Sequence, residues 1–277
     1  MDVQSRKSGK VYLIGAGPGD PRLLTIKAAE MIAASDVIIY DYLVNPEVLA
    51  HARPGAEMIY AGKRANEPSV SQTEINVILM EQARRGRVVA RLKGGDPFIF
   101  GRGGEEAEAL AEAGIDWEIV PGISSGVAAA AYAGIPLTHR DHASSVAFIT
   151  GHENPNKRGP SVDWRVAARA ADTLVIFMCA ETIASIAREL IRNGRAPSTP
   201  IAVVRWGTYE HQEVYSGALE DIATDGPVAL ITIEPPAIAI VGSVVSLKDK
   251  LRWFGHRAFE YSMRDLADAQ AECAASI

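Results

Sequence analysis

Short runs of β-branched and apolar residues alternate along the first half of the chain with longer segments rich in alanine, leucine and glutamate. This alternation is typical of βαβ units and predicts a mostly parallel sheet. The predicted strands are Val11–Ile14, Val37–Tyr40, Met58–Tyr60, Arg87–Leu92 and Trp117–Val120. The predicted helices are Pro21–Ala34, a segment from a capping box at Ser71 and Glu74 to about Arg85, Gly104–Ala113 and Gly126–Ala133.

The pattern changes at Gly134-Ile135-Pro136-Leu137, where we expect a domain boundary. The strands that follow are shorter, and their spacing predicts hairpins within a mixed sheet. They are expected near Val146–Thr150, Leu174–Met178, Ile201–Arg205, Val214–Ser216 and Ile238–Val241, with a helix Glu181–Arg192. The predicted organisation is therefore an α/β domain over residues 10–135, a second over 136–254, and a tail over 255–277 that reads as a helix.

Composition narrows the function classes that need to be considered. Hydrophobic residues make up 48% of the 277 residues and charged residues 22%, which suits a packed core. The net charge of −6 gives no general attraction to nucleic acid or to anionic membrane. Two cysteines, no signal peptide and no long apolar stretch favour a soluble cytoplasmic protein. A His/Cys cluster with metal-ligand spacing is not evident, so we expect no metal.

Glycine-rich or charged segments repeatedly follow the predicted strands. Gly15–Asp20 follows the first strand, Asp41 the second, Gly62-Lys63-Arg64 the third, Lys93–Pro97 the fourth and Pro121-Gly122 the fifth. In the second half Gly151-His152, Met178 and Gly207 occupy equivalent places. Ligands of open parallel sheets bind outside the carboxyl ends of the strands, so these segments are candidates for one site.

The first of these loops resembles a dinucleotide fingerprint only in part. Gly15 and Gly17 suit a close backbone approach, but the third glycine position holds Asp20. A carboxylate there would repel a pyrophosphate, and it can instead satisfy free N–H groups at the helix start. The loop argues against dinucleotide binding. A tight strand-to-helix turn with no ligand would have the same sequence pattern, so that interpretation stays open.

The segment Arg91–Glu106 is harder to explain as a simple connection. Its closely spaced glycines carry a large conformational entropy cost, and its interleaved basic residues suit an anionic ligand. Glu105 and Glu106 favour the start of the helix that follows.

Six motifs together resemble the tetrapyrrole methylase family. They are GAGPGDPRLLT (Gly15–Thr25), YDYLV (Tyr40–Val44), GKR (Gly62–Arg64), RLKGGDPFIFGRGGEE (Arg91–Glu106), VPGISS (Val120–Ser125) and GIPLTHR (Gly134–Arg140). The match runs from about Lys10 to Phe254 and favours the branch that acts on uroporphyrinogen III. The resemblance implies two α/β domains with the active site in a cleft between them, a homodimer, and S-adenosylmethionine as cofactor, released as S-adenosylhomocysteine.

The resemblance also implies roles for individual residues. The cofactor contacts would be Pro18, Gly94, Gly95, Asp96, Ile99, Ser124, Ser125, Met178 and Gly207. The family often has Thr-Ala or Thr-Ser where this chain has Ser124-Ser125, so the first hydroxyl is kept. Asp41 and Lys63 match positions for a proton acceptor and a proton donor, and Arg102 and Glu105 match positions that act on the substrate.

The implied reaction is C-methylation of uroporphyrinogen III at two ring carbons, 2 and 7, to give precorrin-2 for sirohaem- or cobalamin-type biosynthesis. Because this substrate carries eight carboxylates, its pocket should offer basic side chains. Arg91, His139, Arg140 and His152 are the further candidates, beside Arg102.

Several of these residues also have an ordinary structural interpretation. Arg91 could pair with a structural carboxylate, Asp41 could cap a turn, Lys63 could be a solvated lysine, and His139 and His152 could be packing residues. Met178 could fill the core. Three other functions also remain open: a family member acting on a later corrinoid intermediate, an NAD(P)-dependent oxidoreductase, and a binding protein that transfers no methyl group.

Overall fold

The structure, a computed structural model, describes residues 9–62, 70–152, 162–223, 233–255 and 259–263. The chain divides into two compact units, Met1–Ser125 and Gly126–Ile277. The sequence pattern places the boundary ten residues later, after Ile135. The division falls at Ser125 because the alanine-rich helix that follows packs its buried face into the core of the second unit. No helix in the described ranges is long and apolar enough to cross a membrane.

The first unit is built on a five-stranded sheet in the order β3-β2-β4-β1-β5, and every neighbouring pair is parallel. Its strands are β1 (Lys10–Gly15), β2 (Val37–Tyr40), β3 (Glu57–Tyr60), β4 (Val89–Lys93) and β5 (Asp116–Val120). Its helices are α1 (Ile26–Ala34), α2 (Gln72–Arg84) and α3 (Gly103–Glu112), and α4 (Ser125–Tyr132) begins at its last residue.

Alternation along the strands creates two cores in this unit, because successive side chains of a strand point to opposite faces. Leu13 faces a cluster that includes Leu79 of α2 and Leu110 of α3. Its neighbour Ile14 faces the other cluster, which includes Ile32 of α1. Helices therefore cover both faces of the sheet, as a parallel sheet requires.

The second unit is built on a six-stranded mixed sheet in the order β11-β9-β8-β10-β7-β6. Its strands are β6 (Val146–Thr150), β7 (Thr173–Phe177), β8 (Pro200–Arg205), β9 (Glu213–Ala218), β10 (Ala237–Val241) and β11 (Phe259–Ser262). The pairs β6–β7 and β9–β11 are parallel, and the other three pairs are antiparallel. The helices are α5 (Trp164–Ala170), α6 (Ile183–Arg192), α7 (Leu219–Ala223) and α8 (Lys248–Leu251).

The predicted fold class, a parallel α/β sheet followed by a mixed one, is confirmed. The capping box is also present: the Ser71 side chain accepts from the Glu74 N–H, and the Glu74 carboxylate accepts from the Ser71 N–H. The helices α5 and α7 were not predicted from the sequence.

Two predicted elements need correction. The helix expected over Pro21–Ala34 begins only at Ile26, because Asp20 caps a short 3-10 turn over Pro21–Leu23 and Thr25 then caps α1. The tail was read as a helix, but Phe259–Ser262 forms β11, since β9 offers it a free edge with which to pair. Residues 256–258 and 264–277 of the tail lie outside the described residues.

Candidate functional site

Three glycines bring the loops after β1, β4 and β5 into backbone contact. A Cβ added to Gly15 would lie 2.5 Å from the Gly122 Cα and 2.7 Å from the Gly95 carbonyl oxygen. Gly17 and Gly95 also exchange backbone hydrogen bonds, with the Gly95 N–H donating to the Gly17 carbonyl at 2.7 Å. These glycines therefore serve a close approach of three loops at the carboxyl ends of neighbouring parallel strands, where ligands of such sheets bind.

Asp96 links the loop after β4 to the loop after β5 through its carboxylate. One carboxylate oxygen accepts from the Phe98 N–H at 2.9 Å, and the other accepts from the Gly122 N–H at 3.0 Å. Gly95 has a φ of +68°, and its Cβ position would meet the Ser125 nitrogen at 3.4 Å. The structure thus brings together five of the predicted cofactor residues of the first unit, namely Gly94, Gly95, Asp96, Ser124 and Ser125.

Asp20 caps the start of the turn Pro21–Leu23, as its position in the sequence predicts. Its side chain is nearly buried, accepts from the Arg22 N–H at 2.9 Å, and forms an ion pair with the Arg22 guanidinium at 2.6 Å. The carboxylate therefore fills the place where a dinucleotide pyrophosphate would need free N–H donors. This geometry disfavours the oxidoreductase alternative.

A network of four charges connects β2, β4 and α3. Arg91 donates from Nε to Glu106 at 3.0 Å, and its Nη2 lies 2.7 Å from one oxygen of Asp41 and 2.8 Å from the other. Lys93 donates to the same Glu106 oxygen at 2.8 Å and lies 3.9 Å from Asp41. Asp41 is 28% exposed, whereas Arg91 is 1%, Lys93 4% and Glu106 0% exposed.

Burial and neighbouring charges both shift pKa values in this network. Burial alone would raise the pKa of Glu106, but the adjacent Arg91 and Lys93 cations outweigh it and lower that pKa. Burial, with help from the Arg91 charge, lowers the pKa of Lys93. One Glu106 oxygen, Oε2, has no hydrogen-bond partner among the described residues. An unsatisfied buried oxygen of this kind costs about 1–3 kcal/mol.

Arg102 and Glu105 form a second, exposed pair. The guanidinium donates to both carboxylate oxygens, at 2.9 and 2.7 Å, and each side chain is more than half exposed. The hydrogen bond to Glu105 raises the pKa of Arg102, and the same bond lowers the pKa of Glu105. The two residues predicted to act on substrate therefore stand together in solvent as a charged pair at the start of α3.

Met178 follows β7 and is 48% exposed, so the interpretation of this residue as core filling is wrong. Its backbone has a φ of 54°, a region that methionine rarely adopts. Gly207 follows β8, and a Cβ there would lie 2.6 Å from the Ala129 Cβ of α4. Its glycine is therefore required by helix packing, whatever else the residue contacts.

The basic candidates of the second unit lie in or beside turns. His139 and Ala143 exchange backbone hydrogen bonds, and the His139 Nδ1 accepts from the Asp141 N–H at 3.2 Å. This bond leaves Nε2 as the ring nitrogen of His139 that can donate to another group. Arg140 and His152 are exposed. Lys63 lies outside the described residues, and within the described ranges no three His, Cys, Asp or Glu side chains are grouped to hold a metal ion.

Backbone strain concentrates at the predicted site. In the described part of the chain, five non-glycine residues have a positive φ. They are Phe100, Arg102, Met178, Trp206 and Thr208. Each is a predicted site residue or lies within one residue of Ile99 or Gly207. Such conformations cost roughly 1–3 kcal/mol each and cluster at functional sites in proteins.

The sequence analysis placed Lys93 in a candidate segment but assigned no role to the side chains of Lys93 and Glu106. The structure shows that Arg91 and Lys93 share one face of β4, the central strand of the first sheet. Charges at such positions are buried, and buried charges need partners. The partner Glu106 was read only as a favourable residue at a helix start.

Comparisons with known proteins agree with these features. The family model described as Tetrapyrrole (Corrin/Porphyrin) Methylases matches residues 10–223. The uroporphyrinogen-III C-methyltransferase of Bacillus subtilis is 48% identical over 261 residues, covering 94% of this chain and 99% of that protein. Siroheme synthase 1 of Yersinia enterocolitica is 48% identical over 260 residues, which cover 93% of this chain and 53% of that longer protein.

Solved structures give the same result. The uroporphyrin-III C-methyl transferase of Thermus thermophilus in complex with S-adenosylhomocysteine superposes with a TM-score of 0.73 at 40% identity, covering 86% of this chain and 93% of that one. A cobalt precorrin-4 methyltransferase has the same TM-score at 29% identity, covering 88% and 98% of the two chains.

Proposed function

This chain belongs to the tetrapyrrole methylase family and is a methyltransferase, and on that premise we propose that it transfers two methyl groups from S-adenosylmethionine to uroporphyrinogen III. Methylation of carbons 2 and 7 with precorrin-2 as product, a homodimeric assembly and a cytoplasmic location are part of the proposal. They rest on the motif resemblance, and the 40% identity to a neighbour that binds S-adenosylhomocysteine supports the choice of cofactor.

The observation that carries the proposal is the strained backbone at the predicted cofactor residues. Phe100, Met178 and the pair Trp206 and Thr208 adopt positive φ beside or at Ile99, Met178 and Gly207. Motif matching alone does not require this strain, so it is independent support for a functional role of these loops in each unit. The glycine junction of Gly15, Gly95 and Gly122 supplies a further backbone surface in the first unit.

In the proposed reaction a nucleophilic ring carbon attacks the methyl group of the sulfonium. The carbon–sulfur bond breaks as the carbon–carbon bond forms, and its electron pair stays on sulfur, leaving neutral S-adenosylhomocysteine. The ring system must then lose a proton. Asp41 is the proposed acceptor, because it is the exposed member of the charge network, and Lys63 is the proposed donor.

Arg102, His139, Arg140 and His152 are the proposed ligands of the substrate carboxylates. Arg102 is exposed, and because its Nε and Nη2 donate to Glu105, its Nη1 edge is the one that we assign to a substrate carboxylate. Because the His139 Nδ1 accepts from the Asp141 N–H, Nε2 is the ring nitrogen left to donate to a substrate carboxylate. Arg91 is almost fully buried on Asp41 and Glu106, so we assign it to the network rather than to substrate binding.

The decisive test is anaerobic incubation of the protein with enzymatically generated uroporphyrinogen III and methyl-labelled S-adenosylmethionine, followed by mass spectrometry of the oxidised product. We expect two added methyl groups. Arg102→Ala should lower kcat/KM by about tenfold or more while S-adenosylhomocysteine still binds in calorimetry.

Arg192→Ala is the matched control, because Arg192 forms an exposed ion pair with Glu189 across the same three-residue spacing on α6. It should leave turnover unchanged. Binding of S-adenosylhomocysteine without methylation would move the substrate to a later corrinoid, as the likeness to the cobalt precorrin-4 methyltransferase allows. Failure to bind S-adenosylhomocysteine would overturn the proposal.

A further inference from the structure

The charge network has one exposed member and three buried ones. Only the Asp41 carboxylate, at 28% exposure, can meet a substrate without rearrangement of the fold, whereas Arg91, Lys93 and Glu106 are each less than 5% exposed. The buried members are held by β4 and α3, so they form a rigid base beneath Asp41.

Glu106 holds the two buried cations of the network in place. Its Oε1 accepts from Arg91 at 3.0 Å, from Lys93 at 2.8 Å and from Gln72 of α2 at 3.2 Å. All three guanidinium nitrogens of Arg91 are engaged: Nε on Glu106, Nη1 on the Leu92 carbonyl at 3.3 Å, and Nη2 on Asp41. The planar guanidinium therefore transmits the position of Glu106 directly to the Asp41 carboxylate.

The charges explain why two carboxylates are present. Two cations and two anions make the network neutral while Asp41 is ionised. When Asp41 accepts a proton it no longer balances Arg91, but Glu106 still does, so Arg91 stays in place. A network with Asp41 alone would leave two buried cations unpaired at that moment, which is costly.

We propose that Glu106 and Arg91 are positioning residues that hold Asp41 in one place through its protonation and deprotonation. This inference rests on the proposed function, in which Asp41 is the proton acceptor. Glu106 touches neither substrate nor cofactor and acts through Arg91. Lys93, bonded to the same Glu106 oxygen, supplies the second cation that keeps Glu106 ionised.

A double-mutant cycle on kcat tests this role. Asp41→Asn should lower kcat by about 10²-fold or more, the usual effect of removing a proton-transfer group. Glu106→Gln should lower kcat by about tenfold and leave the KM for S-adenosylmethionine within about twofold. In the Asp41→Asn background, Glu106→Gln should have no further effect on kcat, because its target is already gone.

Glu108→Gln is the matched control, since Glu108 lies on the same helix but is exposed. It should leave kcat and its pH profile unchanged, whereas Glu106→Gln should displace the acid limb of that profile. If Glu106→Gln does not fold by circular dichroism, Arg91→Lys replaces it. Lysine keeps the charge but lacks the planar fork with which Arg91 holds Asp41 and Glu106 in fixed positions, so the same lack of additivity with Asp41→Asn is expected.

The possible outcomes distinguish a failure of this inference from a failure of the proposed function. Additive effects in an active wild-type protein, or an unchanged pH profile in Glu106→Gln, would overturn this inference and leave the proposed function intact. A wild-type protein that binds S-adenosylhomocysteine but does not methylate uroporphyrinogen III would overturn both.

Discussion

Gly15 and Gly122 pack backbone to backbone: a Cβ on Gly15 would lie 2.5 Å from the Gly122 Cα, and a Cβ on Gly122 would lie 2.7 Å from the Gly15 Cα. Real Cβ atoms do not approach this closely, and neither partner is a flexible side chain that could move aside. The two loops are therefore joined at a point where any side chain would separate them, next to the proposed cofactor residues Gly95 and Asp96.

Gly122→Ala should lower the free energy of unfolding by about 1–3 kcal/mol, the usual cost of overpacking, and should weaken S-adenosylhomocysteine binding. Chemical denaturation and calorimetry measure the two effects. Gly104→Ala is the control, because a Cβ on this exposed helical glycine meets nothing within 4 Å. It should stabilise the protein by up to about 1 kcal/mol. Equal stability of the two variants would contradict the packing argument.

Met178→Gly should separate backbone strain from ligand contact. Glycine adopts a φ of 54° without a steric penalty, so the variant should be at least as stable as the wild type, by up to about 1 kcal/mol. Loss of the half-exposed side chain should nevertheless weaken S-adenosylhomocysteine binding. Met178→Ala removes the same contact without relieving the strain, so it should lose affinity without gaining stability. Unchanged affinity in both variants would remove Met178 from the cofactor site.

Glu118 should make the first unit sensitive to acid. Hydrogen bonds from Lys10 and Lys27, at N–O distances of 2.6 and 2.5 Å, hold the pKa of Glu118 at about 2. Because the folded pKa lies below the unfolded value, this stabilisation is present above about pH 4.5 and is lost as the pH falls towards 2. The side chain is 32% exposed, so solvent screening limits the contribution to about 1 kcal/mol or less.

Glu118→Gln should therefore unfold more easily than the wild type at pH 7, and the difference should shrink below about pH 4.5. It should also shrink in about 1 M salt, which screens exposed ion pairs. Urea denaturation across this range is the measurement. A difference that stays constant with pH would point to packing rather than charge.

Cys179 should be inert towards thiol reagents in the folded protein. The side chain is fully buried, and burial raises the pKa of its thiol to about 12. At pH 8 only about one molecule in ten thousand would carry the reactive thiolate, even with free access. In a Cys273→Ser background, colour release from a disulfide reagent should be slow in buffer and fast in denaturant. Rapid reaction in buffer would mean that β7 opens readily around this residue.

The strands of both units could be predicted closely from sequence because buried strands carry an unmistakable run of β-branched residues. Val37–Tyr40 and Val146–Thr150 were predicted to the residue. The start of α1 was missed because Asp20 and Thr25 are both good caps, and only the geometry of Pro21–Leu23 decides between them. The strand β11 was missed because the edge of β9, not its own sequence, determines its conformation.

Prediction of the candidate site was limited in a different way. Motifs identified the loops, but they could not distinguish a residue that meets a ligand from one that holds the loop together. Asp96 is an example, because both of its carboxylate oxygens accept backbone N–H groups. The pairing of Arg91 with Asp41 and Glu106 joins residues far apart in the chain, which a single sequence does not reveal.

The strand β11 has a practical consequence for handling the protein. It lies beside β9 at one edge of the second sheet, and Met263, directly after it, is buried in the core. A chain shortened before residue 259 would expose the N–H and C=O groups of β9 as a template for strands of other molecules. Variants shortened for expression should therefore keep residues 259–263, so that β9 stays paired and Met263 stays in the core.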